Sequence, residues 1–286
     1  MPRSSSQPSL RSQWLGEKLR NLRKERKITQ PEAASYIQRD PTMLGRYESG
    51  EFPFRRVDVV GLLTMYGVDD EKVRDGLLEI CDEAWRKDWW DEHRSIFTED
   101  FIDVPWLDSH ADHILAYQHF VVHGLQQTRE YAEAVITRIE QPDTPHEEIE
   151  RHVDIRMERQ QIFSSERPPR LSVVMEESAL SRMVGSAEIM RGQLRHLLEL
   201  SADDRVSIRI APTEVGPHAG LNGTFVLYKL PEPYPTVANV ETTAGSLYLE
   251  EPKATRFLSV WEDLDRSALS PKKSVELIAR HLKEYQ

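Results

Sequence analysis

Eight residues near the start of this chain, Gln30, Arg39, Pro41, Thr42, Met43, Gly45, Arg46 and Arg55, carry the chemistry that is easiest to assign. Their amide, hydroxyl, thioether and guanidinium groups bond to bases and phosphates and make no nucleophile–base pair. Between Asp40 and Gly50, Leu44 and Tyr47 at i,i+3 mark the inner side of a short helix. Thr42, Met43, Gly45 and Arg46 are then left outward. Such a helix fits a DNA major groove. There Thr42 and Met43 would touch base edges, Met43 against a thymine methyl, and Arg46 would bond to guanine or phosphate. Gln30, at the start of the preceding helix, would fix the phosphate backbone. Asp40 is acidic and is read as a cap.

The elements that must hold these groups are legible as well. Thr29 and Glu32 have the spacing of a capping box, and Pro31 falls in the first helical turn. Ala33, Ala34 and Ile37 form the buried face of that helix. Asp40 followed by Pro41 starts a second helix, and Gly50 stops it. The pattern resembles the Xre/Cro-repressor class of helix-turn-helix domains, through Thr29-Gln30, Ala33-Ala34, Thr42, Leu44, Arg46, Glu48 and Gly50. In that class the inter-helix turn holds a Gly and then an apolar residue. Here it holds Gln38 and Arg39, so a non-Gly residue is expected in the left-handed region at a cost of roughly 1 kcal/mol.

The chain has 286 residues, enough for about two domains, and a net charge of -11. Residues 1–66 hold 12 Lys and Arg against 7 Asp and Glu, so the remainder carries the acidic excess. A basic end on an acidic body confines DNA contact to the N-terminal part. Phosphate contacts are expected from Arg20, Arg23, Lys24, Arg26, Lys27, Arg46, Arg55 and Arg56. The mean hydropathy is -0.57, with no apolar run long enough for a transmembrane span and no signal-peptide core, which points to the cytoplasm and no membrane partner. A single cysteine, Cys81, excludes an intramolecular disulfide framework and is expected to be a buried small hydrophobe.

The expected organisation is a flexible tail over 1–12, a helix-turn-helix domain over 13–68, a connecting helix over 69–92, and an α+β domain over 93–286. The fold class is thus multidomain: an all-α five-helix domain followed by a mixed α+β domain with a mainly antiparallel sheet. Leu15, Leu19 and Leu22 mark the first helix, and Val59, Leu62, Leu63 and Tyr66 the fourth. Val73, Leu77, Ile80, Cys81, Ala84 and Trp85 mark a longer one. Trp85 and Trp89 extend its apolar stripe, as buried core or as the seam of a dimer. In the second domain, periodicity predicts helices over Glu148–Phe163, Ala187–Leu200 and Pro271–Tyr285. Strands are predicted over Leu171–Met175, Val206–Ala211, Thr224–Leu230 and Thr236–Val240.

The second domain also carries a resemblance. Residues Val122-His123-Gly124-Leu125-Gln126-Gln127-Thr128-Arg129-Glu130-Tyr131-Ala132, with Arg156–Gln160, Val174–Leu180, Met190–Leu194, Pro212, Gly216, His218, Gly220, Gly223–Phe225 and Tyr248–Glu250, look like the C-terminal domain of the actinobacterial WhiJ-like, antitoxin-like group of Xre-type regulators. His123 and Gln126 depart from the Pro and Leu of that group's motif. The resemblance implies a transcriptional regulator whose C-terminal domain receives a signal from a very small protein encoded by an adjacent gene.

His110, His113, His119 and His123 form an H-x2-H-x5-H-x3-H array, but it lacks a Cys or carboxylate in register and its spacing along a strand is too long for one ion. No metal or cofactor is expected. Glu176 and Glu177 follow a strand and are read as dipole-favoured carboxylates at a helix start, not an acid/base pair. The Gly216–Gly220 loop is a hairpin connection or, less simply, a ligand lid. No catalytic fingerprint is present, so an enzyme is not expected. The leading expectation is a repressor that binds a pseudo-palindromic operator in double-stranded DNA as a homodimer, modulated by a small partner protein. The alternative is a one-component regulator whose C-terminal domain binds a small-molecule effector.

Overall fold

A computed structural model describes residues 9–86, 103–243 and 245–285. These fall into two compact units, residues 9–86 and 103 with 232–234, and residues 104–231 with 235–243 and 245–285. An all-α region precedes a mixed α+β region, as the sequence predicts.

The first unit holds α1 (Leu10–Glu25), α2 (Gln30–Tyr36), α3 (Pro41–Glu48), α4 (Arg56–Met65) and α5 (Glu71–Trp85). Helix α1 begins two residues before the expected end of the tail. Ser9 caps it, and Leu10, Arg11 and Ser12 are buried, so residues 10–12 belong to the fold. Residues 1–8 lie outside the described residues. The core is built from Leu15, Leu19, Leu44, Leu62, Leu63 and Ile80, with Phe54 and Tyr66. Helix α5 packs on α1 and α4 through Leu77, Leu78, Ile80 and the buried thiol of Cys81, and so completes this unit. Burial pushes the Cys81 thiol up to about 11, which keeps it protonated and unreactive. Two members of the expected stripe face outward. Val73 is 45% and Trp85 57% exposed, although the Trp85 indole donates to the Phe54 carbonyl at 2.6 Å. Trp89 lies outside the described residues.

The second unit opens with α6 (Val104–His110) and contains a six-stranded sheet in the order β3-β2-β1-β4-β5-β6. Its strands are β1 (His113–Gln118), β2 (Arg170–Glu176), β3 (Val206–Ala211), β4 (Phe225–Lys229), β5 (Val237–Thr242) and β6 (Gly245–Leu249). The three pairings from β1 through β4 and β5 to β6 are antiparallel, while β1–β2 and β2–β3 are parallel. The parallel half follows from connectivity. Helices α7 (Arg129–Ile139) and α8 (His146–Arg159) bridge β1 to β2, while α9 (Ser178–Ser181) and α10 (Ala187–Leu200) bridge β2 to β3. One sheet face buries Leu115, Tyr117, Val174, Leu227 and Ala238 against Trp261 and Leu264 of α11 (Lys253–Ser267). Helix α12 (Pro271–Glu284), capped by Ser270, packs on α10 and β3.

Candidate nucleic-acid interface

The helix pair is fixed first by its own caps. The Thr29 hydroxyl accepts from the Glu32 amide at 3.4 Å, and the Glu32 carboxylate accepts from the Thr29 amide at 2.7 Å, closing the capping box. The Thr29 hydroxyl also donates to the Glu32 carboxylate at 2.6 Å, and this bond, with the one from the Thr29 amide, holds the Glu32 carboxyl below the usual carboxylate range. Asp40 caps α3 by accepting from the Thr42 amide at 2.7 Å, and the Thr42 hydroxyl and amide together lower its carboxyl. The turn between the helices takes the left-handed residue that its sequence requires. Gln38 has φ 56°, and the Gln38 and Arg39 amides donate back to Ser35 and Ala34.

Three internal clamps then set the attitude of α3. Arg23 of α1 makes two bonds of 2.7 Å to the Glu48 carboxylate, with both side chains almost wholly buried. Arg39 makes a forked pair with Asp58 of α4 at 3.1 and 3.2 Å. Gly16 allows the third contact, since a Cβ there would stand 2.6 Å from the Tyr47 carbonyl oxygen. Leu44 and Tyr47 are buried beneath, with the Tyr47 ring 4.8 Å from Phe54. A forked, charge-assisted pair fixes orientation as well as distance, so α3 is held at its C-terminal end and through the turn that leads into it.

The face left over is the one the sequence selects. Pro41 and Thr42 are exposed, and Met43, Gly45 and Arg46 are half-buried. Gln30 joins them: its Nε2 would lie 2.7 Å from a Cβ added at Gly45, so the amide rests on bare α3 backbone. Arg46 bonds to Glu51 at 2.6 and 3.0 Å and lies over the Phe52 ring at 4.2 Å. Arg55 is exposed with no side-chain bond among the described residues. Arg20, Lys24, Arg26 and Lys27 are exposed too.

Three of the expected contacts sit differently. Arg23 is 8% exposed and committed to Glu48, so it has no free face for a phosphate. It follows Leu19 by one turn, on the buried side of α1, a position that signals an internal role. Arg56 is drawn to Asp82 of α5. Arg39 spends its guanidinium on Asp58 and supports α3 from behind. The Phe52 ring under Arg46 had no assigned role in the sequence reading, although an exposed aromatic beside a basic helix is a recognisable signal.

The four histidines of the array have separate partners. His110 bonds to the Trp106 carbonyl, His113 to Ser172, and His119 to the Gly220 carbonyl, while buried His123 accepts from the Leu125 amide. No group of three or more metal-ligating side chains occurs among the described residues. Glu176 and Glu177 are divided as well. Glu176 takes the Tyr117 hydroxyl at 2.5 Å and His218 at 2.9 Å, whereas Glu177 takes Thr213 and His281. His218 thus pins the Gly216–Gly220 loop to the end of β2.

Geometry and comparison agree on the first unit: residues 14–75 match a helix-turn-helix domain, which supports a DNA-binding, regulatory function in general. Residues 101–280, more than half of the chain, match the family described as a domain of unknown function (DUF5753), and the chain belongs to that family. No curated protein and no solved structure matches the chain. No helix among the described residues is long and apolar enough to cross a membrane.

Proposed function

We propose that this protein is a sequence-specific transcriptional regulator of the Xre type, a repressor that binds a pseudo-palindromic operator as a homodimer. Each protomer places Pro41–Arg46 in the major groove, with half-sites one helical turn apart. The observation that carries the reading is the division of labour on α3: its inner side is clamped by Arg23–Glu48, Leu44 and Tyr47, and its outer side presents Pro41, Thr42, Met43 and Arg46. Thr42 and Met43 read bases, Arg46 reads guanine or phosphate, and Gln30 and Arg55 hold the backbone. The second unit receives the signal, from a small protein encoded by an adjacent gene. Support for a protein partner comes from Ile139 and Met183, 70% and 56% exposed, which border one groove with Ala134, Val184 and Ile189.

The test is fluorescence anisotropy of the full chain on its own upstream DNA and on scrambled DNA across a salt series. Selective binding with a steep salt slope, weakened by Thr42→Ala and Arg46→Ala, is the expected result. Equal binding to both DNAs, unmoved by either substitution, overturns the reading.

A further inference from the structure

One half-buried guanidinium in the second unit has no counter-ion among the described residues. Arg156 and Arg159 stand one turn apart on α8, beside the short turn Gly124–Gln126. A Cβ added at Gly124 would be 3.9 Å from Arg156 Nε and 4.0 Å from Arg159 Nη1, so the glycine marks where the two groups meet. The charge of Arg159 is matched, its Nε donating to the fully buried Asp108 carboxylate at 2.7 Å. Arg156 has no such match. Among the described residues its one hydrogen bond runs from Nη1 to the neutral Gln127 Oε1 at 2.9 Å, and no carboxylate lies within ion-pair distance. Glu241 acts on both guanidiniums from a distance without pairing. Burial and the neighbouring Arg159 pull the Arg156 guanidinium down to about 10, which still leaves it charged at neutral pH.

A second observation comes from the same turn. Gln126 is fully buried, and neither its amide oxygen nor its amide nitrogen has a hydrogen-bond partner. The backbone there is not loose, because Gln193 Nε2 donates to the Gln126 carbonyl at 2.7 Å. A buried amide with no partner is unfavourable, as is a cation with no ion pair; Gln126 directly precedes the Gln127 that Arg156 bonds, and a bound polar group in this turn would relieve both. The strand register puts Asn239 and Glu241 on the sheet face opposite the one covered by α11, and the Asn239 side-chain amide oxygen is also buried and unbonded.

Charge selects the ligand. Arg156 has no ion-paired carboxylate among the described residues, while Asp108 and Glu241 act on this cluster and oppose a dianion more than a monoanion, which disfavours phosphate. A planar guanidinium fork fits a carboxylate. We propose that Arg156, with Gln126 of the adjoining turn, binds the carboxylate of a ligand in this unit, either a free small acid or the C-terminal carboxylate of a peptide. This site is independent of whether the first unit reads DNA.

Calorimetric titration of the full chain at fixed ionic strength tests it, with acetate, N-acetylalanine, N-acetylalaninamide and inorganic phosphate as probes. Saturable binding of a carboxylate is expected, with none by the amide and weaker binding by phosphate. A preference for N-acetylalanine over acetate assigns the peptide source, and the reverse preference assigns the small acid. Arg156→Gln should weaken carboxylate binding roughly tenfold to a hundredfold while leaving the thermal midpoint unchanged or higher. Gln126→Leu should likewise weaken binding without loss of stability. The proposal is overturned if no carboxylate binds, if phosphate binds as well as the carboxylates, or if Arg156→Gln lowers the midpoint and spares binding.

Discussion

Removing the Glu48 carboxylate is the sharpest way to ask whether α3 is held from inside. Arg23 and Glu48 side chains are 10% and 5% exposed and joined by two bonds of 2.7 Å. With Glu48→Ala the guanidinium stays buried, keeping only its 3.0 Å bond to the Ile28 carbonyl. Breaking a buried pair from one side costs about 3–5 kcal/mol, because the remaining charge is uncompensated. The retained Ile28 bond and the slight exposure of Arg23 place the expected loss near the lower end, about 3 kcal/mol. At about 1.4 kcal/mol per factor of ten, that is a drop of roughly 150-fold in amide protection. Hydrogen exchange read by mass spectrometry on the full chain should show it across α1 and α3, with the second unit unchanged. Arg23→Met combined with Glu48→Leu should recover stability to within about 1 kcal/mol of wild type, since an apolar pair of similar volume replaces the ions without leaving a charge. The reasoning fails if Glu48→Ala changes protection by less than about fivefold, or if the double variant is as weak as the single one.

Other outcomes follow from the same coordinates. Glu51→Gln frees Arg46 and removes a carboxylate from the DNA-facing side, so operator binding by anisotropy should tighten about two- to fivefold at low salt and converge with wild type at high salt; weaker binding would contradict it. Gly45→Ala puts a Cβ 2.7 Å from the mobile end of Gln30, whereas Gly16→Ala meets the Tyr47 and Glu48 carbonyl oxygens at 2.6 and 2.8 Å. Both should lower DNA affinity, but thermal unfolding should show a loss, roughly 1–3 kcal/mol, for Gly16→Ala alone. His123 is pulled down to about 3 by burial and by Arg159 and Arg156. Between that value and about 6.5 the unfolded chain binds the proton and the folded chain does not. Stability of the second unit should therefore be intact above about pH 6.5 and fall, on the order of 1 kcal/mol per pH unit, as pH drops toward 3. Urea titrations of His123→Asn against wild type should show a shallower acid slope, and parallel slopes would refute the assignment.

Sequence reading succeeded where the determinants are local. The Thr29–Glu32 box, the Asp40-Pro41 start and the left-handed Gln38 each depend on a few adjacent residues, and all are present. Helix α10 and strand β3 occupy the predicted bounds, because strong periodicity and flanking turns define them. Strand β6 and helix α11 had no assigned element; Gly245–Leu249 is a short half-exposed edge, and α11 buries only Ala254, Trp261 and Leu264 of its residues. The parallel pairing of β1, β2 and β3 depends on crossovers, which strand patterning does not encode. Arg23 and Arg39 read as DNA contacts in the sequence, but their buried acceptors lie 25 and 19 residues away. The unmatched Arg156 was visible only as part of a resemblance, since a missing counter-ion is a property of three-dimensional surroundings.

The residues that seat α3 and the residues on its outward face are different residues. Arg23, Glu48, Gly16, Leu44 and Tyr47 do the holding, and of the outward residues Thr42 bonds to the exposed Asp40 cap at the start of the helix. Variation at Thr42 and Met43 therefore costs little more than one exposed cap bond, so mutation can wander there without producing an unfolded intermediate. A lineage of such proteins can change the sequence it reads one base at a time while each ancestor stays folded. For an engineer, the same separation makes that face a cassette to be randomised on an unaltered scaffold.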